Sequence, residues 1–163
     1  MKIDNLIKTE NLLLLLFFLP YYCTIMAQAP VSILKNTDLN FGIITVSSTS
    51  GSVVLSTSGL RTSSGGIFLP AFTGTVSAAQ FIVSGEPYYT YSITLTDVFT
   101  LYESGTGPSY MTVNSLTSSP STAGSLATGT ETIFIGATLN AEASQTPGSY
   151  SSSTGLEVMV NYN

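Results

Sequence analysis

The sequence predicts an all-β protein, an antiparallel β-sandwich of about 8–10 short strands. Three observations carry this. Beyond the N-terminal apolar stretch, no long segment keeps a helical period free of Gly, Pro, Ser or Thr. Short runs of alternating apolar and polar residues recur at nearly even spacing, with turn signals between them. The C-terminal run from Pro147 to Asn163 ends in strict alternation: Leu156, Val158, Val160 and Tyr162 share one face, and Glu157, Met159, Asn161 and Asn163 the other.

The chain has 163 residues, and its start reads as an export signal. Lys2 and Lys8 supply the positive charge, Leu12 to Leu19 a short apolar core, and Ala27 and Ala29 the small residues that a signal peptidase needs. Cleavage is expected after Ala27, because cleavage after Ala29 would leave Pro30 first. The apolar run is shorter than the roughly 20 residues of a membrane span. Residues 1–27 are thus expected to be a signal peptide and residues 28–163 a single domain, large enough for one core without staples. Cys23, the one cysteine, falls in the segment to be removed, and the tyrosines before it argue against lipidation. No disulfide is expected, despite export.

The elements follow in order. Val31 and Ile33 begin a strand that ends near Asn36 to Asp38. Leu39 to Ile44 reads as a second, with Leu39, Phe41 and Ile43 on one face. Ser47 to Gly51 reads as a turn, Ser52 to Leu55 as a strand, and Gly59 to Gly66 as a loop carrying Arg61. Ile67 to Leu69 is a short run closed by Pro70. Gln80 to Ser84 and Tyr89 to Leu95 flank a Gly-Glu-Pro turn and predict a hairpin. Phe99 to Tyr102 reads as an edge piece, and Ser104 to Ser109 as a loop. Tyr110 to Leu116 is a strand with Met111 and Val113 inward. Ser118 to Gly129 reads as an exposed low-complexity loop. Glu131 to Leu139 places Ile133, Ile135, Ala137 and Leu139 together, and Asn140 to Thr146 leads to the last strand.

Composition excludes several functions. The net charge is −5, and beyond the export signal only Lys35 and Arg61 are basic, so neither nucleic acid nor an anionic membrane is an expected partner. Charged residues make up 8%, which leaves Ser, Thr, Asn and Gly to solvate the surface and little repulsion to oppose ordered self-association. Past the signal there is neither His nor Cys, so nucleophilic triads and the usual zinc sites are unavailable. The acids are scattered singly, with no Asp-x-Asp calcium pattern. No catalytic, metal or cofactor residue is expected.

The chain resembles an exported bacterial family known only as a domain of unknown function (number 4402). The likeness rests on LNFG at 39–42, GG at 65–66, FIVSG at 81–85, YSITL at 91–95, MTVN at 111–114, IGATL at 135–139, PGSY at 147–150 and VMVNYN at 158–163. More faintly, LNFG, the F-x-V run and the G-x-Y and V-x-V-x-Y ending resemble the spore-coat-U-like pilins of archaic chaperone-usher pili. That resemblance implies an immunoglobulin-like, pilin-like sandwich completed by a strand from a neighbouring subunit. The chain departs from those pilins in lacking paired cysteines and in a short Gln28 to Asp38 segment.

Two surfaces are candidates. Leu156, Val158, Val160 and Tyr162 would form a strand for subunit-to-subunit β-augmentation, or else an internal strand closing a complete monomer. Tyr88, Tyr89 and Tyr91 would form a platform for sugar, joined by Tyr102 and Tyr110, or else simply cover a sheet. Tyr150 is expected to bond across a sandwich corner. Arg61 and Lys35 would bind an anionic group, pair with carboxylates or lie in solvent. The expectation is an exported, non-enzymatic structural or surface protein of fimbrial-subunit type, partnering itself or other surface subunits; the alternative is a monomeric extracellular module for glycan or matrix. Its location would be periplasmic, cell-surface or extracellular.

Overall fold

A computed structural model describes residues 27–163. The signal-peptide reading of residues 1–27, with Cys23, therefore lies outside the described residues except at Ala27. Eleven strands and no helix are found among the described residues: β1 (Ser32–Thr37), β2 (Thr45–Leu55), β3 (Arg61–Phe68), β4 (Ala79–Ser84), β5 (Thr90–Leu95), β6 (Val98–Glu103), β7 (Tyr110–Ser119), β8 (Ala123–Ser125), β9 (Thr130–Ala141), β10 (Tyr150–Ser151) and β11 (Val158–Tyr162). Every pairing is antiparallel.

The spine is β9, whose alternating Ile133, Ile135, Ala137 and Leu139 are all buried as the sequence predicts. One edge of β9 holds β4 along Thr130 to Ile135 and β2 along Ala137 to Ala141, while β7 lies along the other. The large sheet thus runs β1-β4-β9-β7-β6-β10, with the β2–β3 hairpin attached beside β9. A second sheet, β11-β5-β8, lies across it. The product is an antiparallel sandwich, as expected.

The core forms two clusters that are covered differently. The first packs Phe81 and Val83 of β4 and Ile133 and Ile135 of β9 against Tyr91 of β5, Leu126 and the inner residues of β11. The second gathers Val53, Leu55, Ile67, Met111, Val113 and Leu139 of the large sheet, and its cover comes from loop residues such as Leu39, Phe41, Ile44, Leu69 and Val76. No residue of β5, β8 or β11 belongs to that second cluster. The small sheet covers half of the floor.

Several expectations are corrected. Leu39 to Ile44 is not a strand: Gly42 takes a left-handed φ of 69°, its N–H is held by Asn40 Oδ1 at 2.8 Å, and a Cβ there would run into Thr73 O. Phe41 turns into the core while Ile43 is exposed, so LNFG is the crossing from β1 to β2. The predicted turn at Ser47 to Gly51 is a bulge within one continuous strand, because the β2–β3 register jumps between Val46 and Gly51. The predicted Gly59 to Gly66 loop is instead mostly β3, whose hydroxyls pair across the hairpin, as Ser52 with Ser64 at 2.9 Å.

Gln80 to Ser84 and Tyr89 to Leu95 do not form the predicted hairpin. After Gly85 to Pro87 the chain changes sheet: β4 pairs with β1 and β9, and β5 with β11 and β8. The predicted exposed loop at Ser118 to Gly129 contains β8 and the fully buried Leu126, whose N–H donates to Tyr89 O at 2.8 Å. Tyr150 behaves as predicted. Its hydroxyl donates to Thr146 O at 2.7 Å and accepts from Gln145 Nε2 at 2.9 Å, pinning the turn that leads to β10.

Candidate functional site

The sequence alternation places β11, and its pairing decides what β11 can do. Asn163 N–H donates to Thr90 O at 3.2 Å and Thr96 N–H donates to Glu157 O at 3.1 Å. With Val158 opposite Leu95 and Val160 opposite Ile93, the odd-numbered residues exchange ladder bonds with β5. The amides and carbonyls of Val158, Val160 and Tyr162 therefore point to the opposite edge. No strand pairs with that edge among the described residues. The side chains of Leu156, Val158, Val160 and Tyr162 meanwhile pack into the first core cluster, whereas Glu157, Met159, Asn161 and Asn163 are exposed. Leu156 lies just before the strand itself. The result is an edge with unpaired main-chain groups beside apolar side chains.

Near the Leu156 end of this strand the sandwich gapes. A cavity of about 1360 Å³ opens between the Leu39 to Val46 crossing and the Ser149 to Glu157 segment. Its floor is the inner face of the large sheet, with Phe81, Phe99, Leu101, Met111 and Leu139, and Leu156 stands at its wall. This volume exceeds the about 300–1,000 Å³ of a typical small-molecule pocket. It lies where the small sheet stops short of the second cluster. The sequence identified the β11 face but missed these floor residues, whose apolar character looks the same whether a face is covered or open.

At the other end of β11, Tyr162 ties the strand to its neighbours. Its hydroxyl accepts from Glu86 N–H at 2.6 Å and donates to Ala29 O at 2.8 Å, while its ring packs on Tyr89 with centroids 5.4 Å apart. Ala29 N–H in turn donates to Glu86 Oε2 at 3.2 Å. Gly85 makes room for this hydroxyl, which a Cβ would strike.

The tyrosine platform does not assemble as predicted. Tyr91 is fully buried, so it is core and not ligand surface. Its hydroxyl donates to Glu131 Oε2 at 2.8 Å, and the same oxygen accepts from Ser125 N–H at 2.8 Å, tying β5, β8 and β9 together. Tyr88 is 86% exposed and takes a φ of 69°, and Tyr89 is 44% exposed. Tyr102 and Tyr110 pair with each other instead, at 6.5 Å, on β6 and β7.

Burial, the bond to Glu131 and the charge of Glu131 all push the Tyr91 hydroxyl above its ordinary range. The unfolded chain releases this proton near pH 10, whereas the folded chain keeps it. The stability that this group contributes is complete below about pH 10 and falls as pH rises beyond it. Thermal melts between about pH 9 and pH 11 should therefore show a steeper loss for the native chain than for Tyr91→Phe.

The cations are engaged locally. Arg61 donates to Phe41 O, and to Ile43 O at 3.1 Å, so it fastens the LNFG crossing to β3, and it pairs with no carboxylate among the described residues. Lys35 pairs with Asp38 at 2.6 Å on the surface. Among the described residues no three His, Cys, Asp or Glu side chains gather to hold a metal. No described helix is long and apolar enough to cross a membrane.

The family model described as a domain of unknown function (DUF4402) matches residues 31–162. No curated protein and no solved structure matches the chain.

Proposed function

The chain belongs to the DUF4402 family, and from that premise we propose that it is an exported, non-enzymatic structural subunit of a surface assembly, joined to further copies of itself by β-strand addition. The observation that carries this reading is the unpaired β11 edge together with a cavity of about 1360 Å³ that opens near its Leu156 end over an apolar floor. An extended segment of a second copy would pair with the main chain of Val158 and Val160 and cover the floor at Phe99, Leu101 and Met111. Five edge residues at about 3.4 Å each give roughly 17 Å of pairing length, an ordinary strand. Few charges stand in the way: Glu157 is the one charged residue from Leu156 to Asn163, and its side chain points to solvent.

The second copy is favoured over a foreign partner because the surface has little charge with which to select one. The pilus-like architecture suggested by the LNFG and V-x-V-x-Y motifs fits the same edge. Sedimentation of the purified chain over a range of concentrations, with negative-stain microscopy of the same samples, tests the reading. Growth into oligomers or filaments is expected. A monomer at every concentration contradicts it.

A second reading is favoured by Tyr88, which is highly exposed at a backbone angle that is uncommon for a bulky residue. With Tyr89 it would present an aromatic surface to a neutral glycan. A saccharide that raises the melting temperature of the native chain but not of Tyr88→Ala would support that function.

A further inference from the structure

We propose that the N-terminal arm Ala27 to Val31 is a latch that caps the Tyr162 end of the β11 edge in the free subunit and is displaced when a strand from a second copy is added. This rests on the strand-addition reading above. The arm precedes β1, whose ladder with β4 begins at the Ser32 and Ser84 pair. Ala27 to Pro30 are exposed and belong to no strand, while Val31 is half-buried against the first core cluster.

What holds the arm is a pair of side-chain bonds to one residue. Ala29 gives its N–H to Glu86 Oε2 and receives the Tyr162 hydroxyl at its carbonyl. Both main-chain groups of Ala29 are thus satisfied by side chains and not by a ladder. Such contacts exchange readily for the repeated main-chain bonds of a strand.

The position of the arm matters as much as its bonds. The β11 edge is open at its Leu156 end, where the cavity lies, and tied at its Tyr162 end by the hydroxyl bond to Ala29 O. A strand entering from the cavity meets the free main-chain groups of Val158 and then Val160 before it reaches Ala29. The last step of pairing, at Tyr162, requires the arm to leave. The Tyr162 hydroxyl also receives Glu86 N–H, so losing it frees the arm and the Gly85 to Glu86 turn together. In the free subunit the latch keeps part of the edge occupied, which slows premature assembly.

The test compares the full native chain with Tyr162→Phe, which keeps the ring against Tyr89 and removes only the hydroxyl. Glu86→Gln serves as a second variant, weakening the arm without touching β11. Assembly is followed by light scattering, and release of the arm by hydrogen–deuterium exchange of the Ala29 amide, which is bonded to Glu86 Oε2. Both variants should assemble at least about threefold faster than the native chain, with faster exchange at Ala29. Variants that assemble at the native rate or more slowly overturn the latch while leaving strand addition standing. Failure of all three proteins to assemble overturns strand addition, and the latch with it.

Discussion

Tyr91→Ala should cost most of the stability margin of the domain. The ring is fully enclosed between the sheets, and truncating a buried aromatic residue to alanine costs about 3–5 kcal/mol. Glu131 Oε2 then loses one of its two donors and keeps only Ser125 N–H, a loss on the order of 1–3 kcal/mol. A natural domain has about 5–15 kcal/mol in all, so the variant is expected to melt more than about 10 °C lower or to accumulate unfolded. Tyr91→Phe fills the same space and should cost only the hydroxyl share. Calorimetry of both variants measures the difference. Equal, small losses would mean that Tyr91 is not the strut joining β5, β8 and β9. The result also bears on glycan binding, because a residue enclosed in this way presents no face to a sugar.

The second large effect is on assembly. Val160 faces its N–H away from β5, so Val160→Pro removes a donor from the open edge and none from the β5 ladder. The variant should remain a folded monomer, melting somewhat lower, and its oligomers should fall below about a tenth of the native amount. Val160→Ala loses similar packing but keeps the amide. It should still assemble. Asn161→Pro strikes a residue that does bond to β5 and should unfold the strand itself. Sedimentation of the three variants separates edge chemistry from fold stability. Native-like oligomers from folded Val160→Pro would place the contact elsewhere.

The parts of this fold that were legible in the sequence are those in which one strand face meets the core and the other meets water. Ile133, Ile135, Ala137 and Leu139 on β9, Met111 and Val113 on β7, and the inner residues of β11 announce themselves by period two. The β2–β3 hairpin did not, because Ser47 to Ser50 and Thr62 to Ser64 are held by hydroxyl pairs and main-chain bonds and carry no apolar alternation. LNFG misled for the opposite reason. It alternates like a strand, yet Gly42 turns left-handed and Arg61 fastens the carbonyls on either side of it. A Gly-Glu-Pro signal marks a change of direction, but the partner that a strand finds afterwards depends on residues far away, and here β5 found β11 and β8.

The candidate site was half legible for a related reason. Alternation fixes which face of β11 is apolar, and so pointed to Leu156, Val158, Val160 and Tyr162. It says nothing about which main-chain groups remain free, since that depends on the parity of pairing with β5. The cavity floor was likewise hidden, because Phe99, Leu101 and Met111 lie on strands whose cover is set by where the small sheet ends. Of the three tyrosines grouped by spacing, Tyr91 went to the core, Tyr89 to a tilted ring pair with Tyr162, and Tyr88 to solvent.

The most direct test of strand addition is amide hydrogen exchange at Val158 and Val160, read in dilute monomer and again in the assembled state. In the monomer these amides should exchange freely while those of Met159 and Asn161, bonded to β5, are protected. On assembly Val158 and Val160 should become protected as well, by at least about a hundredfold. Protection already present in the monomer, or free exchange that persists in the assembly, would contradict the account.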